Sequence, residues 1–237
     1  TRFDRVSCRR ASALDFGFWV LTAGEPGSMR AGEYLFPAHV SGAEVARMLA
    51  QGDTLKRKLT ISEGLDVAAI RALLVEAEGL TGDLVGAIAE GTLLPETYIY
   101  ERGDTRADLV ARMVAAMDEI TAELWAARDP DFPLGSPAEA VILASMVEKE
   151  TGLASERGLV AGVFLNRLDR GMRLQSDPTV AYGLRLAGDF EGPLTRADLE
   201  TDHPFNTYVI RGLPPGPIAN PGRAAIEAVL HPEATEF

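Results

Sequence analysis

The 237-residue sequence predicts an α+β fold. A small α+β module, residues 1–56, precedes a larger, mainly helical domain with short strands, residues 57–237. Three observations predict this. First, a strand, a capped helix and a glycine stop follow one another between Ala31 and Gly52. Second, apolar residues recur at helical spacing from Asp66 onward. Third, no segment repeats at a fixed period, which disfavours a solenoid.

Taken in order, Ala31–Phe36 reads as a strand closed by Pro37, and Ser41-Gly42-Ala43-Glu44 as a capping box opening a helix that ends near Gly52. Lys58–Ser62 reads as a second strand. Val67–Ala77 carries Ile70, Leu73 and Leu74 on one helical face, Leu84–Ala89 reads as a short helix, and Leu94–Tyr100 as an extended stretch. The longest periodic segment, Leu109–Ala127, places Leu109, Met113, Met117, Ile120 and Leu124 on a stripe that suits the core. Prolines in Asp129–Pro137 break it. Ser136-Pro137-Ala138-Glu139 then opens another helix, with serine as cap, proline in the first turn and glutamate completing the box. A further helix covers Ser155–Leu168 and stops at Gly171, and Ala224–Leu230 forms the last.

Composition narrows the function. The net charge is −12 and the one basic cluster is Lys56-Arg57-Lys58, a poor match to a phosphate backbone, so nucleic acid is not an expected partner. A single cysteine, Cys8, excludes an intrachain disulfide and a thiolate zinc cluster. His39, His203 and His231 lie at no metal-ligand spacing, so no metal is expected. No apolar run approaches the roughly 18 residues of a membrane span. The first residues, with Arg2, Asp4, Arg5, Arg9 and Arg10, do not read as a signal peptide.

The helix after Ser136 points to chemistry. On a wheel of 100° per residue, Val141, Ile142, Leu143, Ala144, Met146 and Val147 cover nearly every direction, so this helix is expected inside its domain. Glu150 falls on the bulkiest apolar face, behind Val147, Met146 and Leu143; Glu148 shares a side with Ser145. Apolar surroundings disfavour a charged carboxylate and keep it protonated, as a general acid requires, which favours Glu150. A frayed, solvated helix end formed by Glu148, Lys149 and Glu150 explains the same spacing without chemistry. Downstream, Gln175, Ser176, Asp177, Asn206, Thr207, Tyr208 and Asn220 supply amides, hydroxyls and a carboxylate in long loops of the kind that carry function. Tyr182, Phe205 and Tyr208 offer apolar faces, and Pro214-Pro215-Gly216-Pro217 a stiff wall. Asp177-Pro178 is equally a plain turn signal.

ILASMVEKETGLASER, VFLNRLDRGMRLQSDPTVAYGL, LTRADLETDHPFNTY and GLPPGPIANPG, in that order, closely resemble the endolytic murein transglycosylase (YceG-like) family. The likeness spans about residues 139–233. Weaker likeness runs back through RAGEYLFPAHVSGAEVARML and KLTISEGL. The resemblance implies a LysM-like module followed by a lysozyme-like catalytic domain that cuts peptidoglycan glycan strands internally and leaves 1,6-anhydro ends. It makes Glu150 the catalytic acid and then base, with Gln175, Ser176, Asp177, Asn206, Tyr208 and Glu148 on the substrate, and no metal or organic cofactor. Cell-wall synthases (penicillin-binding proteins) are implied partners. Family members are held at the bacterial inner membrane by one helix, with the catalytic part in the periplasm. That helix is missing from this chain, which reads as a fragment trimmed at both ends.

Three rivals stand beside this expectation. A lysozyme-type hydrolase would pair Glu150 with Asp177 or Glu148 on a water. A glycan-binding scaffold would be indifferent to Glu150→Gln. A pyridoxal-phosphate lyase would need a Schiff-base lysine and a phosphate cradle; Lys149 stands alone and no glycine-rich cradle precedes a helix. Glu148→Gln is expected to cost far less activity than Glu150→Gln.

Overall fold

The computed structural model describes residues 31–188, 190 and 192–235; the earlier part of the expected N-terminal module lies outside them. Two serines start helices as their sequences predict. Ser41 Oγ accepts from Glu44 N–H (3.2 Å) and opens α1, Gly42–Gln51, which ends at Gly52 in the left-handed conformation (φ 68°). Ser136 Oγ accepts from Glu139 N–H (3.2 Å) and opens α4, Pro137–Glu150. Neither box closes as expected. Glu44 turns to Arg47 one helical turn on, and Glu139 Oε2 accepts from Gly135 N–H (2.7 Å), one residue upstream of the cap.

The chain forms two compact units. The smaller one, among the described residues, comprises 31–59, 77–81 and 99–105. It is thus discontinuous in sequence, unlike the single segment expected. It holds α1 and most of strands β1, Lys56–Thr60, and β2, Thr97–Glu101, which pair in a two-stranded sheet. β1 begins two residues before the expected strand. Ala31–Phe36 is not a strand: Leu55 N–H donates to Glu33 O (2.6 Å), but one such bond makes no ladder. Tyr34 and Phe36, two residues apart, stack instead (6.0 Å, 8°), and the Glu33 carboxylate pairs with Arg57 (2.8 Å).

The larger unit takes in Thr60–Glu76, Gly82–Tyr98 and the described residues from Arg106 onward. Besides α4 it contains α2, Val67–Glu76; α3, Arg106–Ala126; α5, Arg157–Asp169; α6, Asp177–Ala187; α7, Arg196–Glu200; and α8, Arg223–Leu230. A 3₁₀ turn, Ala154–Glu156, leads into α5. Leu84–Ala89 is not the helix its sequence predicts. Gly86 has φ 92°, and the Arg71 guanidinium donates to Leu84 O (3.0 Å) and Gly86 O (3.3 Å), capturing carbonyls a helix would use.

As the wheel predicts, α4 runs through the core with Leu143, Ala144, Met146 and Val147 fully buried. Ala225, Ile226 and Val229 of α8, Ala161 and Phe164 of α5, and Met117 of α3 surround it. Each large side chain buried here contributes roughly 1.5–3 kcal/mol. Ser145, buried in the middle of α4, satisfies itself by donating to Ile142 O (2.7 Å) and accepting from Ile218 N–H (3.0 Å). This second bond anchors the proline-rich loop to the helix.

Gly162 lets α5 meet the chain's last described residues, because a Cβ there would collide with Glu233 O. Helix propensity alone favours alanine by about 1 kcal/mol; a main-chain oxygen cannot swing away, so overpacking by about 1–3 kcal/mol wins. Gly162→Ala is expected to lower the melting temperature by several degrees. A rise would show that propensity outweighs the clash.

Candidate active site

The C-terminal turn of α4 presents two carboxylates on opposite sides. At 100° per residue, positions 148 and 150 are separated by about 200°. Glu148 turns inward. Its side chain is 4% exposed, its Oε1 accepts from Arg157 Nη2 (2.9 Å), and its Oε2 accepts from Gly222 N–H (3.0 Å). Arg157 also reaches Glu63 (3.0 Å). Both oxygens of Glu148, expected from the resemblance to meet substrate, are engaged by protein donors in this structure.

Glu150 turns outward and is exposed. The expected apolar cover is absent because the wheel sees only the helix's own neighbours. The loops that close over this end of α4 pack on the Glu148 side. Glu150 Oε2 accepts from Ser176 Oγ (3.0 Å), and this bond brings the acid together with the 175–177 segment.

That segment is tightly held. Gln175 has a left-handed backbone (φ 53°), uncommon outside glycine, and its exposed side chain stands beside buried Ser176. Asp177, the first residue of α6, is also exposed and accepts from Tyr208 Oη (2.6 Å). The bond to Asp177, partial burial and the charges of Asp177 and Glu150 push the Tyr208 phenol up to about 12. Glu150, Gln175, Ser176, Asp177 and Tyr208 thus form one patch.

Asn206 does not join them. Its Nδ2 donates to Leu199 O (3.1 Å) and Thr201 O (2.7 Å), and its Oδ1 accepts from Tyr208 N–H (3.0 Å). Expected from the resemblance to meet substrate, Asn206 is buried here and staples its own loop. Tyr182 is likewise buried, edge-on to Phe205 (5.0 Å, 62°), and offers no open face.

Three features escaped sequence reasoning. Asn220, read only as one of several polar loop residues, is a hub. It donates to Leu65 O (3.0 Å) and Glu90 Oε1 (2.8 Å) and accepts from Leu93 N–H (3.0 Å). Glu90 accepts in addition from Val67 N–H (3.0 Å) and Tyr182 Oη (3.3 Å). Burial pushes the Glu90 carboxyl above its ordinary value, and the Asp66 charge adds to this against the donors from Val67 and Tyr182. Glu90 is thus an acid with the property that the wheel assigned to Glu150. Beside it opens a groove of about 520 Å³ between α3, α4 and the Pro215–Pro217 wall; Glu150 does not line it. The third feature is Thr179, whose buried hydroxyl within α6 left no pattern to read.

The family profile described as YceG-like matches residues 8–237. The chain belongs to the YceG-like family. A crystal structure of a YceG-like protein from Listeria monocytogenes superposes with a TM-score of 0.65 at 29% identity, covering 95% of this chain and 83% of that one. The endolytic murein transglycosylase of Bacillus subtilis (strain 168) is 36% identical over 148 residues, 62% of this chain and 40% of its own length. The enzyme of the same name from Streptococcus pneumoniae serotype 2 (strain D39) is 35% identical over 150 residues, 60% of this chain and 26% of its own. This YceG-like chain therefore spans well under half the length of these two curated relatives.

Two outcomes follow for stability. Glu148→Gln leaves half-buried Arg157 with Glu63 as its one charged partner, and a loss of about 1–3 kcal/mol is expected in denaturant unfolding; an unchanged midpoint would show the pair to be idle. Glu90 carries the opposite sign. Its raised pKa means that the folded state holds the proton more tightly, so its contribution is fully present below the ordinary 4.5 and is lost as pH rises through the raised value. Relative to Glu90→Gln, wild-type protein is expected to lose melting temperature across that window; parallel curves would contradict the burial argument.

Proposed function

We propose that this chain is the catalytic part of an endolytic lytic transglycosylase. It cleaves the bond between N-acetylmuramic acid and N-acetylglucosamine inside peptidoglycan strands. The observation that carries the reading is the placement of Glu150. A buried helix delivers this acid to the surface, where a buried serine orients it beside exposed Gln175 and Asp177 and half-buried Tyr208. The names of the curated relatives support the substrate class.

Protonated Glu150 donates to the glycosidic oxygen as the bond to the muramic anomeric carbon breaks. The carboxylate then removes the proton from that sugar's own 6-hydroxyl, whose oxygen attacks the same carbon and closes the anhydro ring. Glu150 ends protonated, ready for the next cycle. No water is consumed, so no second carboxylate is needed to activate one, unlike the paired-acid hydrolases. Because Glu150 is open to solvent in the free protein, the bound glycan is what excludes water from it. Gln175, Asp177 and Tyr208 orient hydroxyl and N-acetyl groups. The same reading makes the larger unit lysozyme-like and the smaller one LysM-like. It also brings an inner-membrane anchor outside this chain, a periplasmic site and cell-wall synthases as partners.

Mass analysis of products from purified sacculi separates this from hydrolysis. Anhydro-muropeptides, lighter by one water than the reducing-end products of a lysozyme, are expected from the wild type. Glu150→Gln is expected to reduce their release at least about 100-fold with no change in melting temperature, since the side chain is exposed. Comparable release by that variant would falsify the assignment.

A further inference from the structure

Ser176 is held in an unusual way. Its N–H donates to Thr207 Oγ1 (2.9 Å), and its carbonyl accepts from Thr179 Oγ1 (2.7 Å). The two threonine hydroxyls lie 2.9 Å apart. Each hydroxyl has one proton to give. Thr207 Oγ1 also reaches the Ser176 carbonyl (3.5 Å), but Thr179 lies closer to it; with the Thr179 proton on that carbonyl, Thr207 donates to Thr179 and its oxygen receives the Ser176 N–H. The three groups close a ring in which every donor meets one acceptor. Ser176, Thr179 and Thr207 are all buried. Gln175 N–H donates to Thr207 O (3.1 Å), tying the loop before Ser176 to the loop that carries Thr207.

The ring consumes both main-chain groups of Ser176 and leaves its side-chain proton, which goes to Glu150 Oε2 (3.0 Å). We infer that Thr179, Thr207 and Ser176 form a positioning relay that assigns the two oxygens of Glu150 different tasks. Oε2 is the permanent acceptor from Ser176. Oε1 is the oxygen that carries, gives and retakes the proton. A carboxyl group free to rotate would present either oxygen to the glycosidic bond, and half of its orientations would be unproductive. A buried donor on one oxygen removes that ambiguity before substrate arrives and lets the same oxygen serve the acid and the base step. Ser176, expected from the sequence to touch substrate, thereby acts through Glu150. The inference rests on the reading of Glu150 as the acid.

The test compares wild type, Ser176→Ala, Thr207→Val, Thr207→Ser and Glu150→Gln on the same sacculi, with kcat, KM and the pH profile measured for each and melting temperature as the fold control. Ser176→Ala is expected to lower kcat about 10- to 100-fold with KM within about twofold. The pH profile of kcat is expected to change with it, because the buried donor to the reacting carboxyl is gone. Thr207→Val is expected to follow in kcat and pH profile, and Thr207→Ser, which keeps the hydroxyl, to restore both. If Thr207→Val does not fold, Ser176→Ala decides alone. Wild-type kcat and pH profile in Ser176→Ala, with Glu150→Gln inactive, would overturn the relay and leave the acid assignment standing. Activity in Glu150→Gln would remove both.

Discussion

A buried carboxylate must be matched or it unfolds its surroundings, and Glu148 is matched by the starts of two other helices. Arg157, which pairs with it, is the first residue of α5, and Gly222, whose N–H it accepts, is the N-cap of α8. At the start of α8 the Gly222 amide points at the carboxylate, which suits a negative charge at a helix N-terminus; at the start of α5 the partner is the Arg157 guanidinium. The same charge at the C-terminal turn of α4 is unfavourable, and the Arg157 guanidinium offsets that. One side chain therefore fixes where α4 ends, where α5 and α8 begin, and in which direction Glu150 leaves the core.

The loops around this junction stay ordered without regular secondary structure because their buried polar groups are matched one by one. Asn220 brings residues 65, 90 and 93 together, and Ser145 holds Ile218. Asn206 gathers the turn after α7. Between them these three side chains fix the proline-rich wall and the Thr207–Tyr208 segment, and so the placing of the polar groups near Glu150. Stiff prolines alone would shape the wall but not locate it.

The two acids of the Glu-Lys-Glu triplet divide their work by geometry. Two residues apart in sequence but on opposite sides of the helix, one is spent on architecture and the other is released to solvent. Lys149, between them, donates to Gly64 O (3.2 Å) and so joins the architectural side. Glu150, at the end of a helix buried in the core, is left with an open approach from solvent. The surrounding patch is polar and carries the acidic side chains of Glu150 and Asp177.

Much of this was legible in the chain itself. The caps at Ser41 and Ser136, the stripe of α3 and the apolar circumference of α4 are local patterns, and local patterns survive folding because the helix enforces them. The α+β class follows from the same signals. The strand expected at Ala31–Phe36 and the helix expected at Leu84–Ala89 failed because their main-chain partners are chosen by distant residues such as Arg71. The site divides the same way. Sequence alone marked the Glu-Lys-Glu turn and the Gln175-Ser176-Asp177 loop as polar text at the end of an apolar helix. Only the tertiary structure decided which glutamate is enclosed, that Asn206 is a staple, that Glu90 is the carboxyl raised by burial, and that Thr179 and Thr207 close a ring on Ser176. Burial and hydrogen-bond partnership depend on what packs against a helix from elsewhere in the chain, and a wheel drawn from one segment contains no term for that.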